Sequence, residues 1–575
     1  MPTQSTNPPE FLVLQEWKGL NQQEKRGSID DQEEWWNENF FAVGQGCLRT
    51  CWGHGDAIYT APAGLTILRI FFGFIGYPTP QFAAPGPVYG GRLGWMFLSD
   101  GTIDQVDLDT LVVTPIGNGG AREVIWEPIP PQYWASAVVW RPRFFGNVEG
   151  QQGGVLFGSP QGLYAWDGTT LYHPGDPAPD WLTDAAESGP APVPGPYIMP
   201  EGLPGIYTME VYQERLFVAG KDVISFSAPS NGADFSTVNG GGSLGYFGNK
   251  LTYSYMDLAA SAGYLYVFGD SSTDLISNMT LSGNGTIDSP FVTQFNYSNI
   301  DPQVGHGYPR PVGRFGRFLI MLNGAPFTGA DTSVQQHRGG IYLMVGAQAD
   351  PIGDKVITVF NSIDTSQYLP TMATANMFGF RVILINGQFT DPWGVSRNLL
   401  LMYHPVKGKQ FWSVASQNLD LQNIGTYEQD SINTPYGATT TQLFELFKQP
   451  DNLLPKRLST KALRGQSFIV EKDFKRLYIE IHDESVNWNA TGANIITGPG
   501  FGVSITGTQT SGGGSVVGGR QDISFEMPSG KRYDLLPYPT VGKGIWTYVD
   551  LQSLSPDFTI ERLHFGAEER TQYGA

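Results

Sequence analysis

Histidine is the residue type on which zinc hydrolysis and much acid–base catalysis depend, and seven are present: His54, His173, His306, His337, His404, His482 and His564. They are scattered, with no HExxH helix motif and no close pair, so a zinc hydrolase lacks its motif. Two cysteines, Cys47 and Cys51, lie in GCLRTCWG. Zinc would need a second ligand pair that is not there, and two cysteines make no disulfide framework. They read as small apolar residues of a strand. No GxSxG elbow and no Walker loop occurs. Gly240-Gly241-Gly242-Ser243 lacks the Lys-Ser/Thr that would hold a phosphate.

Carboxylates are plentiful, at 54 Asp and Glu. A glycosidase needs two carboxyls about 5–9.5 Å apart, and the sequence leaves that chemistry open. Asp104, Asp107 and Asp109, or Asp270 and Asp274, have the oxygen chemistry for calcium but not the Gly and terminal Glu of an EF-hand loop. Turn and solvent-face roles are expected for them. Trp35-Trp36 and the group Trp126, Trp134 and Trp140 could stack on sugars, but in so aromatic a chain they are expected in cores or interfaces. No catalytic, cofactor-binding or metal-binding residue is assigned.

Whatever the chain does must then follow from its shape. At 575 residues it exceeds what one hydrophobic core supports, so several domains or a repeat architecture are expected. Apolar residues make up 41%, ample for packing, while charged residues are only 15%. Either much of the surface meets partners, as in an oligomer, or the surface is that of a β protein rich in Gly, Ser, Thr and Asn. The net charge of −19 argues against gripping nucleic acid along its backbone. It leaves open a protein that DNA merely passes. The longest apolar run, Leu65 to Ile75, is interrupted by Arg69 and Gly73 and is too short to span a bilayer. The polar, Pro-rich N-terminus, MPTQSTNPPE, carries no secretion signal.

From about residue 65 to 438 one pattern recurs: an apolar run, a Gly-containing turn, a second run. GRLGWMFLSDGTIDQVDLD turns at Asp100-Gly101, and GGVLFGSPQGLYAWDGTTLYH turns at Gln161-Gly162 and Asp167-Gly168. Such pairs accept the positive φ of tight hairpins. Nearly continuous apolar runs predict strands buried on both faces, as in stacked sheets. Sheets stacked radially make a β-propeller, and the span would hold roughly seven or eight blades of 40–50 residues. A Pro-rich insert at 174–205 reads as an irregular arm. The expected division is an N-terminal platform segment at 1–64, a propeller-like body at 65–438, and a short helix plus β-sandwich at 439–575. Within the first, the capping-box spacing of Asp30 and Glu33 predicts a short helix through DDQEEWWNENFF. In the last, TTTQLFELFKQPDN predicts another, and the sandwich strands are expected at Arg476–His482, Gly502–Thr506 and Trp546–Leu551.

Two stretches resemble a known family. WKGLNQQEKRGSIDDQEEWWNENFF…GCLRTCWG resembles the opening of tailed-phage virion proteins, through Gly19, Leu20 and Asn21, then Glu33, Asn39 and Phe40, then Leu48, Arg49 and Gly53. YQERLFVAGKDVISFSAPSNGADFSTVNGGGSLGYFGNKLTYSYMDLAASAGYLYVFGDSSTDLIS is similar to the central segment of tail nozzle (tail tubular protein B-like) proteins of short-tailed bacteriophages. The matching positions are Arg215, Leu216 and Phe217, Phe226 and Ser227, Asp234 and Phe235, and Leu265, Val267 and Phe268. DFTIERLHFGAEERTQYGA resembles the closing strand of such proteins, which would bring both chain ends to one platform. The Pro-rich insert departs from the pattern.

The resemblance implies a non-enzymatic structural protein of the virion tail, synthesised in the host cytoplasm. It would form a homo-hexameric ring at the distal tail, docked to the portal adaptor, with tail fibres outside and genomic DNA leaving through the lumen. No membrane partner and no cofactor is implied. Two other readings compete: another phage head-completion, tail-tip or fibre-binding protein, and a carbohydrate-binding or carbohydrate-cleaving propeller on a receptor-recognition spike. The last requires a deep polar pocket with two or more carboxylates beside exposed Trp or Tyr.

Overall fold

The computed structural model describes residues 10–23, 26–43, 46–75, 91–128, 135–140, 153–183, 197–203, 205–220, 223–245, 257–269, 272–284, 286, 288–301, 304–305, 312–323, 340–366, 369–406, 409–429, 432–463, 472–482, 486–495, 521–527, 533–537, 543–544 and 546–569. The Gly502–Thr506 strand, the TSGGGSVVGG loop and the middle of the Pro-rich insert lie outside them. Among the described residues almost everything regular is β, and one short α-helix occurs, Ile357–Asn361.

Six consecutive stretches each fold into a four-stranded antiparallel meander. Blade 1 is Ile67–Gly73, Leu93–Leu98, Ile103–Asp107 and Val113–Pro115. Blade 2 begins at Ser136–Trp140, blade 3 at Thr208–Tyr212, blade 4 at Asp257–Ser261, blade 5 at Val312–Phe315 and blade 6 at Thr371–Met377. Blade 7 takes Asn423–Gln429, Ile432–Ala438 and Gln442–Glu445 from late in the chain. Its outermost strand is Ala57–Thr60, from before blade 1.

Side-chain alternation explains why the runs are continuously apolar. In blade 1, Leu93, Trp95 and Phe97 pack against Val155, Phe157 and Trp166 of blade 2. The intervening Met96 and Leu98 pack against Tyr427, Tyr436 and Leu443 of blade 7. A strand sandwiched between two sheets has no solvent face, so period-2 polarity disappears. The same arrangement joins blades 2 and 3, 3 and 4, 4 and 5, 5 and 6, and 6 and 7. The circle closes as an all-β, seven-bladed propeller-like body. The turn at Asp100-Gly101 shows the local chemistry: Asp100 Oδ1 accepts from the Thr102 N–H and hydroxyl. Gly101 has φ 85°, and a Cβ there would lie 2.4 Å from the Trp126 carbonyl oxygen. Only glycine fits that position.

Both chain ends build a second body. One sheet runs in the order Phe40–Val43, Cys47–Thr50, Thr559–Glu569, Lys472–His482 and Tyr533–Pro537, with Glu10–Leu14 also paired to Thr559–Glu569. The facing sheet is an extension of blade 6. Beyond Lys409–Ala415 the order continues through Glu34–Glu38, Lys456–Thr460, Trp546–Ser553, Val486–Ile495 and Gln521–Met527. Leu14, Trp17, Phe40 and Leu48 from the N-terminal side share one core with Leu458, Ile479, Leu551 and Phe565 from the C-terminal side. The two sheets make one β-sandwich built from both ends of the chain, called the platform below.

Three expectations need correction. The Asp30–Glu33 segment makes one half of a capping box, the Asp30 N–H donating to Glu33 Oε2 at 3.0 Å while the Asp30 side chain takes the Gln32 N–H, and it is a turn rather than a helix start. The chain then runs extended as Glu34–Glu38, because Lys456–Thr460 pairs it into the sheet. The helix expected at 439–452 is also absent: Gln442–Glu445 is a blade strand and Leu443 is fully buried. Finally, divisions at 64 and 438 cut blade 7, since its strands Ala57–Thr60 and Gln442–Glu445 fall outside 65–438 and pair with each other.

Candidate functional site

Seven innermost strands surround a cavity of about 670 Å³ on the propeller axis. Each strand lines it with consecutive residues, and several neighbours are latched together by side chains. Thr208 Oγ1 donates to Asp257 Oδ1 at 2.8 Å, joining blades 3 and 4. Thr374 Oγ1 donates to the Arg314 carbonyl at 2.7 Å, and Thr426 Oγ1 to the Thr374 carbonyl at 2.9 Å, joining blades 5, 6 and 7. Arg69 donates to Asn423 Oδ1 at 3.2 Å, while Asn423 donates to the Leu68 carbonyl, joining blades 7 and 1. These bonds satisfy polar groups that the cavity would otherwise strand.

The charged lining is acidic on balance: Glu210, Glu214, Asp257 and Glu428 against Arg69 and Arg314. Arg314, on blade 5, reaches past blade 4 to chelate Glu210 of blade 3, with Nη2 at 2.8 and 2.9 Å from its two oxygens. Glu210 first, and Glu428 of blade 7 less strongly, push the Arg314 guanidinium above its ordinary range, against the opposing pull of burial. Its side chain is 46% exposed, but into the cavity. The pair links two blades that are not neighbours. The remaining wall is largely apolar, including Phe71, Phe72 and Val138.

The residues weighed from sequence lie elsewhere, in structural roles. Asp104 is fully buried, chelated by Arg122 at 2.8 and 2.9 Å and bonded by the Tyr59 hydroxyl at 2.8 Å. Asp107 accepts the N–H groups of Asp109 and Thr110 in a turn, and Asp109 pairs with Arg92. Asp274 accepts from Tyr297 and Asn299; Asp270 lies outside the described residues. Cys47 and Cys51 are free thiols, the second fully buried and pushed up by burial. Trp36, Trp126 and Trp140 are buried, Trp35 is half-buried against Trp393, and Trp134 is outside the described residues. Gly242 and Ser243 belong to the outer strand of blade 3. Buried His404 stacks on Phe41 at 4.0 Å, and burial lowers its pKa to about 4. Among the described residues no group of three or more His, Cys, Asp and Glu could hold a metal, and no helix is long and apolar enough to cross a membrane. The axial ion pair was not found from sequence, since its members stand 104 residues apart.

No protein-family model and no curated protein matches the chain. Among solved structures it is similar to BBS1N in its complex with ARL6DN, at 10% identity over 69% of this chain and 97% of that one, with a TM-score of 0.34. It is also similar to the N-terminal domain of Nup159, at 11% identity over 68% and 98%, with a TM-score of 0.28. A third likeness is the GH32 beta-fructofuranosidase of Bombyx mori, at 10% identity over 61% and 89%, with a TM-score of 0.19. Likenesses this distant carry no argument about function.

Proposed function

We propose that this chain is a non-catalytic structural protein of a short-tailed phage virion, one wall of a distal tail nozzle ring through which DNA leaves. The reading rests on the family resemblance together with one structural observation: body and platform share a continuous nine-stranded sheet through blade 6. A sheet running unbroken from the propeller axis into the platform transmits force without a hinge, as a ring segment under a pressurised genome requires. The axial cavity, about 670 Å³ in all, leaves no path for a duplex through a single propeller. DNA would therefore pass between copies, in the lumen of a ring, and a chain of net charge −19 would not adhere to it. The platform, where both chain ends meet, is the natural seat for the portal adaptor, leaving the outer blades for fibres.

Imaging of tagged virions tests this. A label on the chain should decorate a ring at the distal tail; a label confined to the head or to fibre tips would sink the nozzle reading. The glycan reading draws on the axial carboxylates Glu210, Glu214 and Glu428. It predicts reducing sugar released from host polysaccharide, whereas the structural reading predicts none.

A further inference from the structure

Three side chains meet where the N-terminal segment crosses the body between blades 5 and 6. Lys355 Nζ lies 2.9 Å from Glu33 Oε1, and the Asn21 amide donates from Nδ2 to Glu33 Oε2 at 2.8 Å. An amine and a primary amide thus share one carboxylate. Glu33 is 8% exposed and Asn21 7%. The Gln23 N–H donates to Asn21 Oδ1 at 3.0 Å, which fixes the orientation of the amide. The backbones are fastened as well. The Gln22 N–H donates to the Lys355 carbonyl at 2.7 Å, and the Thr358 hydroxyl to the Gln22 carbonyl at 2.8 Å. Leu20 and Val356, next to Asn21 and Lys355 in sequence, are fully buried in one core with Trp36.

This arrangement exceeds what an ion pair needs. The other lysine–carboxylate pairs among the described residues are Lys18–Asp30, Lys448–Glu445 and Lys461–Asp31. In each the carboxylate is more exposed and holds no side-chain amide. At Glu33 a nucleophile and an electrophile are instead held on one proton carrier, away from most water. A backbone N–H already sits on the oxygen that would take up negative charge when the amide is attacked.

We propose that Lys355 and Asn21 become joined by an isopeptide bond that the protein forms itself, with Glu33 as the catalytic residue. Burial pushes the Glu33 carboxyl up, while the Lys355, Asn21 and Asp30 donors pull it below its ordinary range. The pair therefore rests as ammonium and carboxylate. The ammonium gives one proton to Glu33, and the freed amine attacks Asn21 Cγ. Glu33 passes that proton to Nδ2, and collapse of the tetrahedral intermediate expels ammonia. The attacking nitrogen then sheds its second proton to Glu33, and ammonia carries it away as ammonium. One Cγ–N bond forms and one breaks, so neither oxidant nor co-reactant is needed. The Lys355 side chain, 28% exposed, leaves the ammonia a way out. The product closes residues 21–355 into a covalent loop that contains blades 1 to 5. Closing so long a loop restricts the unfolded chain and bolts the platform's entry segment to the body. The bond is independent of the nozzle reading.

Mass spectrometry of the denatured full-length chain decides it. Wild type should weigh one ammonia less than its sequence, and its digest should contain a branched peptide joining the Asn21 and Lys355 segments. Lys355→Arg should keep the full sequence mass. Glu33→Gln should form the link about a hundredfold more slowly, followed as linked fraction against time. Wild type at its full sequence mass after prolonged incubation in the folded state overturns the bond. So does ammonia lost within the Asn21 peptide alone, as a cyclic imide. A Glu33→Gln chain that links as fast as wild type overturns the catalytic role. Should that variant fail to fold by circular dichroism, Glu33→Asp, a carboxylate too short to hold both nitrogens, takes its place.

Discussion

The body and the platform are both β, but they are assembled from opposite kinds of sequence information. Six of the seven blades are each drawn from fewer than fifty consecutive residues, with hairpins closing neighbouring strands. In the platform, Glu10–Leu14 pairs with the strand ending at Glu569, and Arg26 is bound to Asp550, 524 residues away. Local pairing gives the body a modular stability, blade against blade. The platform instead depends on a few long-range polar clamps placed among buried strands. Single substitutions should therefore hurt the platform more than the body.

The largest effect is expected at the junction. Arg397 chelates Glu38, which is fully buried, at 2.8 and 2.9 Å, and also meets Asp391 at 3.1 Å. Arg397→Ala strands two buried carboxylates and should cost about 3–5 kcal/mol, read by urea unfolding. A loss below about 1 kcal/mol would break the contrast. Next comes Arg26, whose guanidinium lies 4.6 Å from the Trp35 ring and 3.8 Å from the Tyr548 ring while binding Asp550 at 2.6 Å. Arg26→Ala should cost about 2 kcal/mol and expose the platform amides first in hydrogen exchange. Protection lost first in the blades would count against it.

Titration sharpens the same contrast. Burial raises the Glu34 pKa from 4.5 to about 8, with Glu33 adding repulsion, while the neighbouring Asn37 side chain opposes it. A carboxyl raised on folding costs stability as pH climbs from about 4.5 to about 8. Glu34→Gln should remove that decline, leaving the variant more stable than wild type at pH 8; an unchanged pH profile would refute the assignment. His404, lowered from 6.5 to about 4, works at the other end: stability is full above 6.5 and is lost as pH falls toward 4. It bonds the Ala42 carbonyl at 3.0 Å, so both titrating groups sit where platform meets body. The smallest effect belongs to the axis. Glu210→Gln leaves Arg314 facing the cavity near Glu428 and should shift stability by no more than about 1 kcal/mol. A loss of several kcal/mol in urea unfolding would show the bridge to be a structural clamp instead.

Sequence made the body readable because its signals are local. Asp100-Gly101 and Asp167-Gly168 close turns with the side-chain and φ geometry their types dictate. Continuous runs such as LGWMFL are buried along their whole length, as strands between two sheets must be. The two helix expectations failed because a remote partner decided each conformation. Gln442–Glu445 has helix-compatible composition, yet its partner strand, Ala57–Thr60, lies far earlier in the chain. Glu34–Glu38 likewise answers to Lys456–Thr460. The ion pair was hidden for the same reason: only the stacking of blades 3, 4 and 5 brings Glu210 and Arg314 together.

The strand Ala57–Thr60 sets a timetable for biosynthesis. It leaves the ribosome among the first elements, but Gln442–Glu445 emerges only after nearly four hundred further residues. At ~5–20 residues per second that wait is about 20–80 s. Throughout it, that strand and the platform strands Glu10–Leu14 and Glu34–Glu38 wait without their sheet partners beside a growing, open stack of blades. Closing the circle and seating the platform are then a single late event, so a nascent chain cannot acquire a finished platform before its propeller is complete. Production of sound subunits is thereby policed by the order of translation, and a prematurely terminated chain would carry no platform to assemble with.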